Sequence, residues 1–343
     1  MKVSRSGMAV ELRQAPAAVA RQAQSLAAPL AALVERLIRR PPDVVVTCAR
    51  GSSAHAATFA KHLIERYLGI PVAAVAPNIA TIYRRRLRLK HQFFQAISQS
   101  GSSDDLIEVT AAARAAGALT AGLVNDLQSP LASACEIVLP MAAGAELSVA
   151  ATKTFVASLA AILRLTATWL HNDVMHLACE RLPARLAAAA HLDWRAALHP
   201  LARASSLVAI GRGPTLAIAR EAALKLKEIC ALHAEAFSSA EFRHGPIALV
   251  SATYPILILA PSDEAALGLP ELAEDLRRKG AYVLFAEPGE EKRGRLPVLV
   301  PEQADADAIC LMQSFYAFAV DLAAQRGADV DRPRHLQKVT RTR

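Results

Sequence analysis

The sequence predicts an α/β fold with two tandem, doubly wound parallel sheets, and three observations support this prediction. Short apolar runs alternate with alanine-rich helical segments along most of the chain, a pattern typical of parallel sheets with helices on both faces. Hydrophobic residues make up 53% of the chain and aromatic residues only 5%, so the interior is aliphatic, as in such sheets. The third observation is that the chain repeats itself.

The two halves of the chain share three sequence landmarks in the same order. An apolar strand leads into a glycine turn, a second apolar strand leads into a polar loop, and a basic, glycine-containing segment precedes a third strand. The pairs are 44–53 with 207–215, 93–101 with 255–263, and 114–118 with 278–281. Landmarks that recur in register indicate an internal duplication.

This duplication defines the predicted domain organisation. We expect a leading helix over residues 1–34, a first domain over 35–170, a second over 195–325 and an irregular tail over 327–343. Ligands of such sheets bind outside the carboxyl ends of the strands. The loops that follow the predicted strands are therefore where functional residues are expected.

Composition limits the possible partners. The net charge of +8 and the basic run 84–90 raise the possibility of nucleic-acid binding, but this run lacks interleaved aromatic residues and no known nucleic-acid-binding motif accompanies it. No apolar run free of charge reaches the length of a membrane span. We therefore expect neither a nucleic acid nor a membrane as partner.

The cysteines and the amino terminus predict the compartment. The five cysteines are odd in number, widely spaced and form no C-x-x-C pair, which indicates a reducing environment without a structural zinc. The first residues lack the apolar block of a secretory signal. We expect a cytoplasmic protein with no metal and no organic cofactor.

A serine-rich loop at 98–105 is the first candidate site. Its hydroxyls and backbone N–H groups lie between a strand and a helix start, where anions bind readily. A plain helix cap is the alternative interpretation. The second copy has lost most of these hydroxyls at 260–263, which favours phosphate binding by the first copy alone. Ser52 and Ser53, after the first strand, would form a second wall.

Charged residues of the second copy form the other candidate site. Glu221, Lys225 and Glu228 share one face of an otherwise apolar helix, and the alternative is a solvated ionic stripe. His244 precedes Gly-Pro and is expected in a turn, where a histidine can transfer protons or can simply be a surface residue. No metal-ligand spacing accompanies it.

Six segments together carry a resemblance to a known family. They resemble the isomerase half of glutamine–fructose-6-phosphate amidotransferase (glucosamine-6-phosphate synthase), within the sugar isomerase (SIS) domain family, over residues 35 to the end. The resemblance implies two flavodoxin-like SIS domains. The segments are 98–101, 149–153, 221–228, 233–237, 243–246 and 333–338.

The resemblance also implies roles for individual residues. The phosphate would be held by a set of polar residues of the first copy, and four further residues are candidates for substrate contact. The first set is Ser53, Ser98, Gln99, Ser100 and Ser103, and the second is Ser52, Val149, Ala151 and Lys225.

Three residues match the family's catalytic positions. Glu228 would move a proton between sugar carbons 1 and 2. His244 would open the sugar ring of the neighbouring subunit, which implies a homodimer with shared active sites. Lys338 would form a Schiff base with the carbonyl. These roles suit a carboxylate, an imidazole and an amine.

Two departures from the family shift the expected reaction. The glutaminase nucleophile would follow the initiator Met, where this chain has Lys2, and its first cysteine is Cys48, so we expect no glutaminase domain. Ala151 replaces a serine of the synthase. Without a glutaminase, net synthesis of glucosamine 6-phosphate is not expected, and the segments 149–155 and 338–343 look closer to stand-alone deaminases of the same superfamily.

The resulting expectation is a glucosamine-6-phosphate deaminase that produces fructose 6-phosphate and ammonium. One alternative is a galactosamine-6-phosphate deaminase or isomerase, and another is a fructosamine-phosphate deglycase. The alternative from a different class is a non-catalytic sugar-phosphate sensor, which would need the serine loop but not the three catalytic matches.

Overall fold

The computed structural model describes residues 6–290 and 292–338, and these contain two five-stranded sheets in which every pair of neighbouring strands is parallel. The strands are β1 Val45–Ala49, β2 Val72–Ala74, β3 Phe93–Ser98, β4 Leu119–Val124, β5 Ile137–Pro140, β6 Ser206–Gly211, β7 His233–Ser238, β8 Pro255–Leu259, β9 Tyr282–Ala286 and β10 Arg295–Leu296. The predicted fold class is confirmed.

Twelve α-helices in the same described ranges cover the sheets. They are α1 Gly7–Arg39, α2 Gly51–Leu68, α3 Asn78–Thr81, α4 Asp104–Ala115, α5 Pro130–Ala134, α6 Lys153–Leu170, α7 Asp173–Ala189, α8 Leu198–Ala202, α9 Thr215–Cys230, α10 Ser239–Arg243, α11 Leu269–Arg278 and α12 Ala304–Gln325. Residues 1–5 of the predicted leading helix and 339–343 of the predicted tail lie outside the described residues.

The two sheets have the same strand order. The first runs β2-β1-β3-β4-β5 and the second β7-β6-β8-β9-β10, so each strand of one copy has a counterpart in the other. This is the 2-1-3-4-5 order of flavodoxin-like sheets. The match in topology supports the duplication inferred from the sequence landmarks.

The chain divides into two compact units. The sheet-1 unit consists of residues 17–146, 153–180 and 337–338, and the sheet-2 unit of 6–16, 147–152 and 181–336. The units are discontinuous in sequence. The continuous boundaries expected from the sequence stay a prediction.

The sheet-1 unit has an aliphatic core on its sheet. All six residues of β3 are buried, as expected for a strand covered on both faces. Phe94 packs in one cluster with Leu106 and Val109 of α4. Helix α6 packs on α2. These contacts position the loop between β3 and α4.

The sheet-2 unit repeats this arrangement. Ile256 and Phe285 of its sheet pack with Leu272 of α11 in one cluster, while α9 packs on β6, β7 and α12. Asp331 accepts hydrogen bonds from the backbone N–H groups of Gly7 (2.8 Å) and Met8 (3.0 Å). It thereby caps the amino terminus of α1 and anchors the chain a few residues before the tail lysine.

Two helices, α6 and α12, are long and apolar enough to cross a membrane by length and composition alone. In each, 83% of the apolar window is buried inside the protein, as in core helices.

Candidate functional site

The serine loop joins β3 to α4 at the carboxyl edge of the first sheet. Ser98, the last residue of β3, accepts a hydrogen bond on Oγ from the N–H of Gly101 (3.1 Å), and Ser100 Oγ accepts one from the N–H of Ser102 (3.3 Å). Gly101 has φ +61°, and a Cβ there would lie 2.1 Å from Ser129 Oγ. The loop conformation therefore requires glycine at this position.

Two hydroxyls at this edge make no hydrogen bond to any described residue. Ser103 stands at the N-cap of α4, yet its side chain caps no N–H group. Ser53, in the first turn of α2, is likewise half-buried without a partner in the described chain. The structure therefore does not support the interpretation of Ser103 as a plain helix cap. Its hydroxyl is available to a ligand.

An ion pair that the sequence analysis missed holds the two walls together. Arg50, which precedes α2, donates to Oδ2 of Asp105 in α4 from Nε (3.1 Å) and Nη2 (2.8 Å). The Asp105 side chain is 1% exposed. This pair joins the amino termini of α2 and α4 and neutralises a carboxylate that would otherwise repel an anion. The one sequence feature that could have indicated this ion pair is the position of Arg50 directly before the glycine turn.

The corresponding loop in the second sheet is occupied by protein contacts. Ser262 donates its hydroxyl hydrogen to Oδ2 of Asp307 at 2.6 Å, and Arg185 pairs with Oδ1 of Asp307 at 2.6 Å and with Glu302. Burial raises the pKa of Asp307, although Ser262, backbone N–H groups and Arg185 oppose this shift. A half-buried carboxylate in this place, 13% exposed, disfavours an anion, which supports the predicted asymmetry between the copies.

Glu221, Lys225 and Glu228 form a buried ionic cluster on α9, so the solvated-stripe alternative is wrong for this face. Lys225 is 1% exposed and lies 3.4 Å from Glu221 Oε1, and its Nζ donates to Glu228 Oε2. Glu221 also accepts the hydroxyl hydrogen of Tyr316 at 3.1 Å. The remaining oxygen of Glu228, Oε1, has no partner among the described residues, and the side chain is 20% exposed.

The ionic contacts determine which state Lys225 adopts. Burial by itself lowers the pKa of Lys225, but the charges of Glu221 and Glu228 outweigh it, and the net pKa is raised. Lys225 is therefore a permanent ammonium that orients Glu228. Its predicted contact with the substrate stays a prediction.

His244 lies where the sequence predicted, in the turn after α10. The backbone N–H of His244 donates to the carbonyl of Glu241 (2.9 Å), and the next residue, Gly245, has φ +133°. The imidazole is exposed. An exposed imidazole held by a rigid turn can be presented to another molecule.

The tail lysine contacts a buried carboxylate. Lys338 Nζ lies 3.2 Å from Oε2 of Glu146, whose side chain is 0% exposed. Glu146 also accepts from the N–H (3.1 Å) and the hydroxyl (2.6 Å) of Thr154. The tail is thus held at this point and is not a freely solvated end. Glu146 carried no sequence signal, because it lies in a loop without periodicity.

Val149 and Ala151 are half-exposed, and they alternate with the buried residues Ser148, Ala150 and Thr152. The buried carboxylate of Glu11 accepts from the N–H groups of Leu147 and Ser148 within the sheet-2 unit. Glu11 thereby holds the segment 147–152 in place. The predicted substrate contacts of Val149 and Ala151, like those of Ser52 and Gln99, stay predictions.

The five cysteines are all free and buried. Burial raises the pKa of Cys179 to about 11, and those of Cys48, Cys135, Cys230 and Cys310 to about 12. Such thiols stay protonated at neutral pH and are poor nucleophiles. In the described part of the chain, no three His, Cys, Asp or Glu side chains cluster as metal ligands would.

A family model for the SIS domain matches residues 40–167 and 200–285. The glutamine–fructose-6-phosphate aminotransferase (isomerizing) of Symbiobacterium thermophilum is 34% identical over 316 residues, which is 86% of this chain and 51% of the relative. The chain therefore spans about half the length of the aminotransferases it matches.

Two solved structures extend the comparison. A Silicibacter pomeroyi DSS-3 protein with a provisional assignment as a phosphosugar isomerase has a TM-score of 0.90 at 41% identity, covering 95% of this chain and 100% of that one. The C-terminal domain of the Francisella tularensis glucosamine–fructose-6-phosphate aminotransferase has a TM-score of 0.86 at 25% identity, covering 96% and 98%.

These similarities confirm the family resemblance inferred from the sequence. The chain belongs to the SIS domain family and is similar over most of its length to glutamine–fructose-6-phosphate aminotransferases.

Proposed function

We propose that this protein is a cytosolic hexosamine-6-phosphate deaminase that converts glucosamine 6-phosphate and water to fructose 6-phosphate and ammonium. The observation that carries the proposal is the state of Glu228. One of its oxygens is bound by a buried ammonium and the other has no partner in the described chain. A carboxylate held in this way can accept a proton and return it without reorientation.

The proposed reaction needs no redox step. His244 protonates the ring oxygen as the bond from that oxygen to C1 breaks, and the C1 hydroxyl loses its proton to give the open aldehyde. Glu228 then takes the C2 proton and returns it to C1, while one proton passes from the C2 ammonium to the C1 oxygen. This leaves a hydroxyl group at C1 and an iminium group at C2. Water adds to C2, and ammonium leaves as the C2 carbonyl forms. The products are the open-chain ketose phosphate and ammonium.

The serine loop is assigned to the phosphate. We expect Ser98→Ala and Ser100→Ala to raise KM for the sugar phosphate by roughly tenfold or more each, since a hydrogen bond to a charged group contributes about 1.5–3 kcal/mol. Ser262→Ala in the second copy is the matched control, because its hydroxyl is bound by Asp307. Steady-state kinetics measure all three, and equal effects on KM in both copies would contradict the assignment.

A homodimer with shared sites is the proposed assembly, and the exposed turn of His244 supports it. We expect subunits carrying His244→Ala and subunits carrying Glu228→Gln to be inactive alone. After mixing and subunit exchange, roughly a quarter of the activity should return, because half of the dimers are hybrids with one intact site of two. Exchange is verified with differently tagged subunits. Verified exchange without recovery would place both residues in a site built by one chain.

Lys338 is proposed to assist by transimination: its neutral amine adds to C2 of the substrate iminium, ammonia leaves as Lys338 becomes the imine nitrogen, and water then hydrolyses this imine to the C2 carbonyl. We expect borohydride added with fructose 6-phosphate to reduce this imine and attach the sugar to Lys338, visible by mass spectrometry of the peptide. Lys227, exposed on α9, is the matched control lysine. Equal labelling of both lysines would mean that Lys338 has no special reactivity.

Ammonium release from a panel of hexosamine 6-phosphates tests the proposed function itself. We expect release from glucosamine 6-phosphate at a rate that depends on Glu228. Faster release from galactosamine 6-phosphate or from a fructosamine phosphate would reassign the substrate. Interconversion of aldose and ketose phosphates without ammonium would make the protein an isomerase, and binding without turnover would make it a sensor.

A further inference from the structure

A basic cleft lies at the amino-terminal edge of the first sheet, on the side opposite the serine loop. It has a volume of about 430 Å³ and is lined by Arg36, Arg40, His91, Arg114 and Glu136, together with residues 117–119. Strand β3 separates the two edges by about 17 Å, since its six residues make five steps of about 3.3 Å each.

The positive charge of this cleft is only partly compensated. Glu136 is its one carboxylate, and Arg36 Nη1 pairs with it at 2.6 Å. Arg40 pairs with no acidic side chain in the described ranges 6–290 and 292–338, and Arg114 reaches only the carbonyl of Cys135, at 3.5 Å. Helices α1 and α4 end next to Arg40 and Arg114, but the partial negative charges of two helix ends fall short of two guanidinium groups that lack an acidic partner in the described chain.

His91 is held in the cleft by its backbone. It has φ +69°, in the left-handed region, and its N–H donates to the carbonyl of Gly117 at 2.9 Å. Partial desolvation, followed by the charges of Arg40 and Lys90, lowers the pKa of His91. The groups that face this imidazole are cationic, so a bound anion would raise that pKa.

We propose that this cleft is a second, non-catalytic ligand site that binds an organic diphosphate. Guanidinium groups bind phosphoryl oxygens through paired hydrogen bonds, and three of them with one carboxylate leave two positive charges, or three when His91 is protonated. A single phosphate monoester carries about two negative charges at most, so it leaves one positive charge of the cleft uncompensated once His91 is protonated, and a diphosphate matches that state better. The volume leaves room for the organic part beside Ala118 and Leu119, and it falls in the usual range for small-molecule sites.

Calorimetric titration with inorganic pyrophosphate and with ADP tests this site on the full chain. We expect one molecule of either to bind per chain, and Arg40→Ser and Arg114→Ser to weaken binding roughly tenfold or more. Arg39→Ser is the matched control, because Arg39 is adjacent, carries the same charge and pairs with Glu35 outside the cleft. It should change the affinity less than about twofold.

Further experiments distinguish binding in this cleft from binding at other anion sites of the protein. A Ser98→Ala/Ser100→Ala variant should keep the affinity for pyrophosphate. Histidine NMR should show that the pKa of His91 rises on binding. The His91 signal is assigned by its loss in the His91→Gln variant. The proposal is overturned by no binding to the unmodified protein, by an equal effect of Arg39→Ser, or by loss of binding in the serine variant. Equally tight binding of duplex DNA that depends on Arg40 would instead indicate a nucleic-acid surface.

Discussion

Replacing Glu228 by Gln should reduce the kcat of the proposed deaminase about 10²- to 10⁴-fold, with little change in KM. The amide keeps the size of the side chain and can still contact Lys225, but it cannot take a proton from C2. Ammonium release measures the whole reaction. Exchange of the C1 and C2 hydrogens with deuterated solvent, followed by NMR, measures the proton transfer directly.

The control for this loss is Glu274→Gln. Glu274 is an exposed residue of α11 that pairs with Arg277, so the substitution changes the net charge equally, away from the ionic cluster. It should leave kcat unchanged. If Glu228→Gln kept full proton exchange, the transfer would belong to another group and the assignment of Glu228 would fail, whatever the substrate.

Replacing Lys225 by Met should give the largest loss of stability among single changes in the ionic cluster. The Glu221 side chain is 0% exposed, and without the ammonium it becomes a buried carboxylate that lacks this partner. Removing one partner of a buried ion pair costs about 3–5 kcal/mol. We expect the free energy of unfolding, measured by urea denaturation, to fall by about that amount, and activity to fall as Glu228 loses its orientation.

Lys227→Met is the matched control for this experiment. Lys227 lies two residues away on the same helix and is exposed, with no ion pair in the described chain. Its replacement should change the free energy of unfolding by less than about 0.5 kcal/mol. A double variant, Lys225→Met with Glu221→Gln, should recover part of the stability, because it removes the buried charge. Similar losses for both single lysine variants would contradict the role given to the cluster.

Much of the fold could be predicted from the sequence because it follows from local patterns. The apolar run of β3 and the alanine-rich helices are periodic, and the glycine turn after β1 marks a strand-to-helix junction that the structure contains at Gly51. The duplication fixed the expectation of two similar sheets, and their equal strand order agrees with it. The discontinuous units were not predictable, since the segments that make up each unit are distant from one another in sequence.

The candidate site was only partly predictable, for a related reason. Ser98, Ser100 and Glu228 belong to recognisable motifs. The residues that hold such side chains in place do not belong to motifs. Asp105 pairs with Arg50, which is 55 residues away in the sequence, and Glu146 pairs with Lys338, which is 192 residues away. A partner of this kind can be supplied by any part of the chain that folds close enough, so no spacing in the sequence reveals it.

The sequence by itself determined the fold class, the duplication, the family and the residues with reactive side chains. These depend on side-chain type and on periodicities of a few residues, which are properties of short segments. Only the tertiary structure decided how charge and hydroxyl groups are used. It pairs Lys225 with two carboxylates, binds Ser262 to Asp307 while leaving Ser103 without a partner in the described chain, and gathers the arginines of the basic cleft. Burial and charge compensation arise from packing between distant segments, and these determine which polar groups are available to a ligand.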